Sequence, residues 1–329
     1  MTTEILERCY DLNGVTLVIE GDQQQIGFLD PILGLLASAE RKLNDWVVRL
    51  VAVGEVEPPP QMSRIIWEGP LPENLESVFS EYDNNRTLFV AQHYNMTIET
   101  ASRSSVILFT SEGKGSIGGT GAFWLLGEIL AAEDRFLLHA ACLIEPQSDE
   151  AFVLFAPSGT GKTTTALTLA RSGIALAGDD ALVLEISNNA PYVWSIPRGL
   201  KVDQRTVDML PWLSPALKEW DSDEQLINLD ELDDLIALAS PARRRCAAVI
   251  VLKKPNLISH EIKAISKADA ASHILSDNLH RFPGGVDANG RATFAAVAGL
   301  LANTATLSLS MGPKPDTFHY EMIFDVIKV

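Results

Sequence analysis

A glycine-containing turn near the middle of the chain carries residue types that bind phosphate groups. It consists of Pro157, Ser158, Gly159, Thr160, Gly161, Lys162, Thr163 and Thr164. The apolar run Ala151–Phe155 precedes it and a helix-forming stretch follows, which is the context that such a motif requires. Backbone N–H groups of the turn and of the helix start would face the phosphates. Lys162 could reach the terminal phosphates and the Thr163 hydroxyl could bind Mg²⁺, so the sequence predicts a site for ATP with Mg²⁺.

The turn departs from the strict phosphate-loop pattern at one position. The pattern G-x-x-x-x-G-K-[ST] begins with glycine, and this chain has Ala156 there. The alternative is a chance turn rich in small residues on a surface loop. The fit of the remaining positions and of the flanking segments favours the phosphate-binding interpretation.

Two adjacent carboxylates, Asp179 and Asp180, follow a short apolar run at residues 174–177. Gly173 is predicted to end the preceding helix, so this run would return beside the first strand. Both carboxylates would then lie at the carboxyl end of a strand, next to the turn. One could hold Mg²⁺ while the other accepts a proton from an attacking hydroxyl, and the sequence does not say which does which. The alternative, an ordinary Gly-Asp-Asp surface turn, is disfavoured by the short spacing.

The next strongly apolar run, residues 247–252, does not supply the acid that most phosphate-loop enzymes carry at the end of a later strand. It is followed by Lys253 and Lys254. The pair Asp179 and Asp180 is therefore predicted to take over the work of that acid.

Ser158–Thr163 followed closely by Gly178–Asp180 resembles the nucleotide-binding module shared by HPr kinase/phosphorylase and phosphoenolpyruvate carboxykinase. Leu138-His139-Ala140-Ala141, Arg198-Gly199-Leu200 and the arginine-containing segment at residues 241–245 resemble the kinase in particular. The resemblance covers about residues 136 to 255. It implies an α/β fold with an HPr kinase-like phosphate-loop core. Residues 1 to about 110 do not resemble the amino-terminal domain of that enzyme, which indicates a different, specialised acceptor.

The resemblance also implies roles for individual residues. Asp179 would be the general base for a serine hydroxyl on a peptide or small protein, and Asp180 with Thr163 would hold Mg²⁺. The two aspartates could exchange these roles. His139 would lie near the transferred phosphate and orient the carboxylates.

Arginines are expected near a transferring phosphoryl group because guanidinium groups stabilise its spread negative charge. Arg198 lies between apolar and turn-forming residues and is predicted to point into a site. Of the three arginines at residues 243–245, Arg245 is nearest to the following strand and is the first candidate. The alternative for these three is a solvated basic turn.

Composition limits the kinds of partner and compartment. With 47% hydrophobic residues among 329, the chain can bury a large core, and a net charge of −17 argues against a nucleic-acid partner. Cys9, Cys142 and Cys246 lack metal-ligand spacing and are odd in number, which favours a reducing, cytoplasmic location. The acidic opening residues are not expected to form a signal peptide, and no apolar stretch reaches membrane-spanning length.

The chain is predicted to divide near residue 120. Residues 1–120 would form a smaller, β-rich domain with a role in acceptor recognition, and residues 121–329 the catalytic domain. Strands are predicted at residues 15–20, 46–53, 64–67, 87–92, 97–101 and 105–110. Helices are predicted at residues 31–43, 75–81, 122–132, 266–279, 293–302 and 318–327. The glycine-rich segment 113–121 is predicted to be a linker, the acidic stretch 221–234 a mobile solvated segment, and 280–285 an exposed loop.

The sequence thus predicts a kinase that transfers the γ-phosphate of ATP to a serine of a peptide or small protein. Ribosomal peptides, including lasso-peptide precursors, are the acceptors of kinases with a similar layout. The alternatives are a non-catalytic ATP-binding sensor and a small-molecule kinase or carboxykinase. The oligomeric state stays open, with a homo-oligomer allowed.

Overall fold

The computed structural model describes residues 5–38, 40–41, 44–71, 74–157, 159–218, 223–254, 258–279 and 286–327. These residues form two compact units. The first unit lies within Met1–Asp134 and His280–Arg291, and the second within Arg135–Leu279 and Ala292–Val329. Both units combine sheets with helices, so the α/β class is confirmed. The domain division at residue 120 and the roles of the two domains stay predictions.

The first unit is built on a mixed sheet. Its strands are β1 Leu6–Asp11, β2 Thr16–Gly21, β3 Ala37–Ser38, β4 Trp46–Ala52, β5 Arg64–Pro70, β6 Glu76–Tyr82, β7 Asn85–Val90, β8 Tyr94–Glu99 and β9 Ser104–Phe109. They are ordered β3-β1-β2-β4-β9-β8-β7-β6-β5. The pairs β2–β4 and β4–β9 are parallel and the other neighbours are antiparallel. Its helices are α1 Gln23–Ile26, α2 Asp30–Leu33, α3 Lys114–Ser116 and α4 Ala122–Ala131.

Three predictions for the first unit are wrong. The helix predicted at residues 31–43 is limited to α2 and a 3₁₀ turn at Gly34–Leu36, because Ala37–Ser38 pairs with β1 as strand β3. The segment predicted as a helix at residues 75–81 is strand β6, whose Ser77 and Phe79 are buried while it pairs with strands on both sides. Tertiary pairing of a run rich in β-favouring residues overrides the helical interpretation.

The glycine-rich segment 113–121 is a packed, kinked connection between α3 and α4 rather than a linker, with non-helical backbone angles at Gly119 (φ −99°, ψ −114°). Ile117 is fully buried. A Cβ at Gly118 would stand 2.5 Å from the Phe28 carbonyl oxygen, so this glycine permits close packing rather than flexibility.

The second unit is built on another mixed sheet. Its strands are β10 Arg135–Leu138, β11 Ala141–Ile144, β12 Ala151–Phe155, β13 Ala175–Gly178, β14 Leu182–Ser187, β15 Ala190–Ser195, β16 Leu200–Asp203, β17 Glu224–Ile227, β18 Arg244–Leu252, β19 Glu261–Ala264 and β20 Ala305–Ser310. The order is β10-β14-β15-β18-β12-β11-β13, with β20 beside β18 and β19 beside β20. Strands β16 and β17 form a separate hairpin-like pair.

Helices pack on both faces of the central strands. They are α5 Lys162–Arg171, α6 Gln204–Met209, α7 Lys267–Asn278, α8 Ala288–Ala302, of which residues 292–302 belong to this unit, and α9 Glu321–Ile327. Every residue of β12 is buried, because one face packs with α5 and the other with α7 and α8. The helices predicted at residues 122–132, 266–279, 293–302 and 318–327 are confirmed as α4, α7, α8 and α9.

The prediction that the acidic stretch 221–234 is a mobile, solvated segment is wrong for the residues that the structure describes. Glu224–Ile227 forms β17, and Leu232 is fully buried in a short 3₁₀ helix. The loop predicted at residues 280–285 lies outside the described residues. None of the helices in the described part of the chain is both long and apolar enough to cross a bilayer.

Candidate functional site

Several strand ends of the second unit meet at one edge of its sheet. Strand β12 is parallel to β18, and β18 is parallel to β20, so all three end at this edge. Strand β11 runs antiparallel to both β12 and β13, so β11 begins where β13 ends. The turn after β12, the carboxylates after β13 and His139 before β11 are therefore close together. Ligands of open α/β sheets bind at such an edge.

The turn between β12 and α5 adopts backbone conformations that need glycine. Gly159 and Gly161 have φ angles of +72° and +96°, in the left-handed region that residues with a Cβ avoid. Gly161 precedes the first residue of α5, Lys162, so the helix N-terminus opens towards the turn. Pro157, Gly159, Thr160, Lys162, Thr163 and Thr164 line a cavity of about 410 Å³ together with Gly161. Ser158, also predicted to bind nucleotide, lies outside the described residues.

Lys162 is the centre of a buried charge cluster. Its side chain is 7% exposed, and its ammonium group contacts the Asp179 and Asp180 carboxylates. Asp179, at 3% exposure, also accepts a hydrogen bond of 2.5 Å from the Thr163 hydroxyl. A buried ammonium shared by two carboxylates leaves one negative charge uncompensated before His139 is counted.

Asp180 is the more accessible aspartate, with 28% of its side chain exposed to the cavity. His139 Nε2 lies 2.9 Å from Asp180 Oδ1. Burial, the largest single influence, would raise the pKa of Asp180, but the hydrogen bonds and charges of His139 and Lys162 together outweigh it and hold the pKa below its usual range. Asp180 has φ +66°, a conformation that Asp and Asn tolerate better than other residues with a side chain.

The donor set fits a hard divalent cation. Thr163 offers a hydroxyl oxygen beside the carboxylate oxygens of Asp179, and Mg²⁺ prefers such oxygen ligands completed by phosphate oxygens and water. The described residues contain no group of three or more His, Cys, Asp or Glu side chains that could hold a metal alone.

The cavity is also lined by charged residues to which the sequence analysis gave no role. They are Lys201, Asp203, Arg205, Glu224 and Lys253. Lys201 and Asp203 are the exposed positions of β16, where Leu200 and Val202 are buried. The alternation of apolar and charged residues from Leu200 to Asp203 could have identified Lys201 and Asp203 as lying on one face of a strand.

The structure does not bring Arg245 to the cavity, which corrects its selection as a catalytic candidate. Arg245 is the second residue of β18, beside the start of β12, and lies roughly 25 Å along the strand from Lys253 at about 3.3 Å per residue. Its side chain is 62% exposed and lies 3.7 Å from Glu150. Arg245 was selected because it is close to the start of strand β18, whereas the cavity lies at the end of that strand, at Leu252 and Lys253.

The other arginines have different positions. Arg243 pairs with Glu185 and stacks over the Tyr192 ring at 3.6 Å, and Arg244 pairs with Asp149. Arg198 is half-buried between β15 and β16 and is not among the described residues that line the cavity. Its catalytic role stays a prediction.

Comparisons with known proteins leave the family open. No protein-family model matches the chain, and no curated protein matches it. One similar solved structure is that of the Hpr(Ser) kinase/phosphatase from Coxiella burnetii, at 14% identity and a TM-score of 0.31. The match covers 58% of this chain and 93% of that one. A likeness at this TM-score carries no argument, and the functional conclusion rests on the geometry of the site.

Proposed function

We propose that this protein is an ATP-dependent phosphotransferase that moves the γ-phosphate to a hydroxyl, the acceptor being a serine of a peptide or small protein. One observation carries the proposal. Lys162, at the start of a helix that follows a glycine turn, contacts two adjacent carboxylates, one of which is bonded to Thr163 and the other to His139. This set combines phosphate binding, a cation site and a proton acceptor in one cavity.

The geometry favours one division of labour between the aspartates. Asp179 is buried and accepts from Thr163, so it is suited to the metal side of the site. Asp180 faces the cavity beside His139, so it is suited to accept the proton of the acceptor hydroxyl. These are the two roles that the sequence left interchangeable, with the assignment reversed from the one that the family resemblance implies.

Lys162 couples nucleotide binding to the availability of the Asp180 carboxylate. Its charge contributes to the low pKa of Asp180. Phosphate oxygens compete for the same ammonium group, and a Lys162 that turns towards them releases Asp180. The Asp180 carboxylate oxygen is then available to accept a hydrogen bond from the acceptor hydroxyl when the phosphates are in place.

The proposed transfer balances as a single displacement. The acceptor oxygen forms a bond to the γ-phosphorus, its proton passes to Asp180, and the bond between that phosphorus and the bridging oxygen breaks. The electron pair stays on the β-phosphate of the departing diphosphate. Mg²⁺, when bound, would neutralise charge on the phosphate oxygens.

The direct test is transfer of label from γ-labelled ATP to a pooled library of serine peptides, with Asp180→Asn and Asp179→Asn as variants. Asn keeps the left-handed backbone of residue 180, so we expect Asp180→Asn to lose about 10³-fold in turnover with little change in nucleotide affinity. Asp179→Asn should instead weaken the Mg²⁺ dependence of nucleotide binding. Asp208→Asn, on the exposed side of α6, is the matched control.

Four results would contradict the proposal or part of it. Label transfer that survives Asp180→Asn would remove Asp180 from the base role, and loss only in Asp179→Asn would restore the opposite assignment. Nucleotide binding without transfer to any peptide would exclude the peptide acceptor and favour a sensor or a small-molecule kinase. Absence of nucleotide binding by the wild type would overturn the proposal as a whole.

A further inference from the structure

Lys253 occupies a fixed position on the cavity wall. Phe155 of β12 pairs with Val251 of β18, so Lys253 follows β18 at the level of the turn that follows β12. Its backbone N–H donates to the Leu309 carbonyl at 2.8 Å, which fixes the chain against β20. Leu252 and Lys253 both line the cavity.

Lys253 and the acids lie on opposite sides of the turn. In the sheet, β11 and β13 flank β12 on one side and β18 on the other. Asp180 follows β13, whereas Lys253 follows β18, so the phosphate-binding turn lies between them. A nucleotide held at the turn would have the proposed proton acceptor on one side and Lys253 on the other.

His273 holds the Lys253 ammonium group. Lys253 Nζ contacts His273 Nε2, a ring atom on α7. An ammonium group has only donors, so Nε2 must accept and His273 must be neutral with its proton on Nδ1. Burial first, and then the charge of Lys253, lower the pKa of His273, while Asp269 and Asp277 act in the opposite direction. His273 therefore orients the ammonium group without neutralising it.

The other two lysines that line the cavity have carboxylate partners, and Lys253 differs from them. Lys162 contacts two carboxylates, and Lys201 lies 3.7 Å from Glu224. Lys253 forms no ion pair with a carboxylate among the residues that the structure describes. A half-buried, uncompensated cation facing a cavity, in a chain of net charge −17, is suited to an anionic ligand.

We infer that Lys253 binds the β-phosphate of the nucleotide and stabilises the departing diphosphate, with His273 as its positioning residue. The inference rests on the proposed function. In-line transfer places the attacking and leaving oxygens on opposite sides of the γ-phosphorus. Since Asp180 serves the attacking side, Lys253 is on the leaving side, where charge grows as the bond to the bridging oxygen breaks. Lys253 thus takes the position after β18 where many phosphate-loop enzymes place an acid.

The test compares the affinities of ADP and AMP in the full chain by calorimetry, together with kcat and the acceptor KM. Lys253→Met should weaken ADP binding about 10-fold or more and leave AMP binding unchanged, because AMP lacks the β-phosphate. It should lower kcat by about 100-fold, with the acceptor KM unchanged. Lys253→Arg should restore part of the ADP affinity. Lys253→Gln keeps a polar side chain and repeats the measurement if the Met variant does not fold.

Two further variants complete the design. Lys254→Met removes the exposed neighbouring ammonium and should match the wild type in every measurement. His273→Gln leaves the Lys253 charge but loosens its position, so we expect a loss of about 3-fold in ADP affinity, smaller than that of Lys253→Met.

Results that contradict the role of Lys253 can be distinguished from results that contradict the proposed function. Equal weakening of ADP and AMP, or unchanged ADP binding in the Met and Gln variants, would overturn the assignment of Lys253 while leaving the proposed function intact. A raised acceptor KM with normal ADP affinity would also overturn it, because Lys253 would then serve the acceptor. A wild type that binds neither nucleotide would overturn both the proposed function and this assignment.

Discussion

Each unit contains a buried cation between two carboxylates, and the two clusters differ in their access to solvent. In the second unit, Lys162 lies between Asp179 and Asp180 and the cluster opens into the cavity. In the first unit, Arg86 lies 2.7 Å from Glu128 and 2.6 Å from Asp287, with all three side chains at most 12% exposed. The Arg86 guanidinium also lies over the Phe79 ring.

The same combination of charges has opposite effects on the carboxyl groups. Burial dominates at Glu128 and raises its pKa to about 7, although Arg86 lowers it and Asp287 raises it further. At Asp180 the two nitrogen partners outweigh burial and the pKa falls. An enclosed triad is therefore a structural element sensitive to pH, whereas an open one keeps its carboxylate ionised and available to a substrate.

The largest expected effect tests whether the Arg86 cluster is structural. Arg86→Met leaves Glu128 and Asp287 buried without their cation, so the free energy of unfolding should fall by about 3–5 kcal/mol in urea titrations. The matched control is Arg64→Met, whose side chain is 70% exposed and pairs with Glu81. The control should lose less than about 1 kcal/mol. Equal losses of unfolding free energy in the two variants would show that the enclosed cluster stabilises the fold no more than an exposed ion pair does.

The pH dependence of stability sharpens the contrast. The folded-state pKa of Glu128, about 7, is above the ordinary value of 4.5. The folded protein therefore keeps a proton that the unfolded chain has released, and the stability present below pH 4.5 is lost as pH rises through 7. The loss should reach up to about 3 kcal/mol. The loss is measured from the urea unfolding midpoints of the wild type and Glu128→Gln between pH 5 and 8. If the midpoints of both proteins change with pH in the same way, Glu128 is not the group responsible.

The smallest effect is expected where an arginine is neither buried nor beside the cavity. Arg245→Met removes an exposed partner of Glu150, so stability should change by no more than about 0.5 kcal/mol. Turnover should stay within about 2-fold of the wild type, in contrast to the loss expected for Asp180→Asn. A tenfold fall in turnover in Arg245→Met would contradict this expectation. It would show that Arg245 takes part in catalysis through a contact that a single chain does not contain.

Local motifs in the sequence predicted more of the site than of the fold around it. The turn at residues 157–164 and the Asp pair could be found because their chemistry depends on neighbours in sequence. His139 was found only through the family resemblance, since it precedes a strand whose place in the sheet is a long-range property. The roles of all these residues stay predictions, although the structure brings them together.

The misses have a common physical cause. Lys253 was noticed only as the absence of an acid, yet the same position at the end of a parallel strand could have marked it as facing the site. Arg245 was chosen by distance along the chain without regard to strand direction. The segments 75–81 and 113–121 were misassigned because pairing partners and close backbone contacts decide their structure, and neither is visible locally.

The order in which the site's two sides occur along the chain has a consequence for folding. The turn, α5, β13 and both aspartates form one continuous strand–helix–strand segment, so closing the loops between them costs little entropy. Lys253 and the residues after β20 join from much later in the sequence. During synthesis on the ribosome, the turn with Lys162 and both aspartates should therefore assemble first, and the part of the cavity that contains Lys253 should be added only after β18 and β20 have been made.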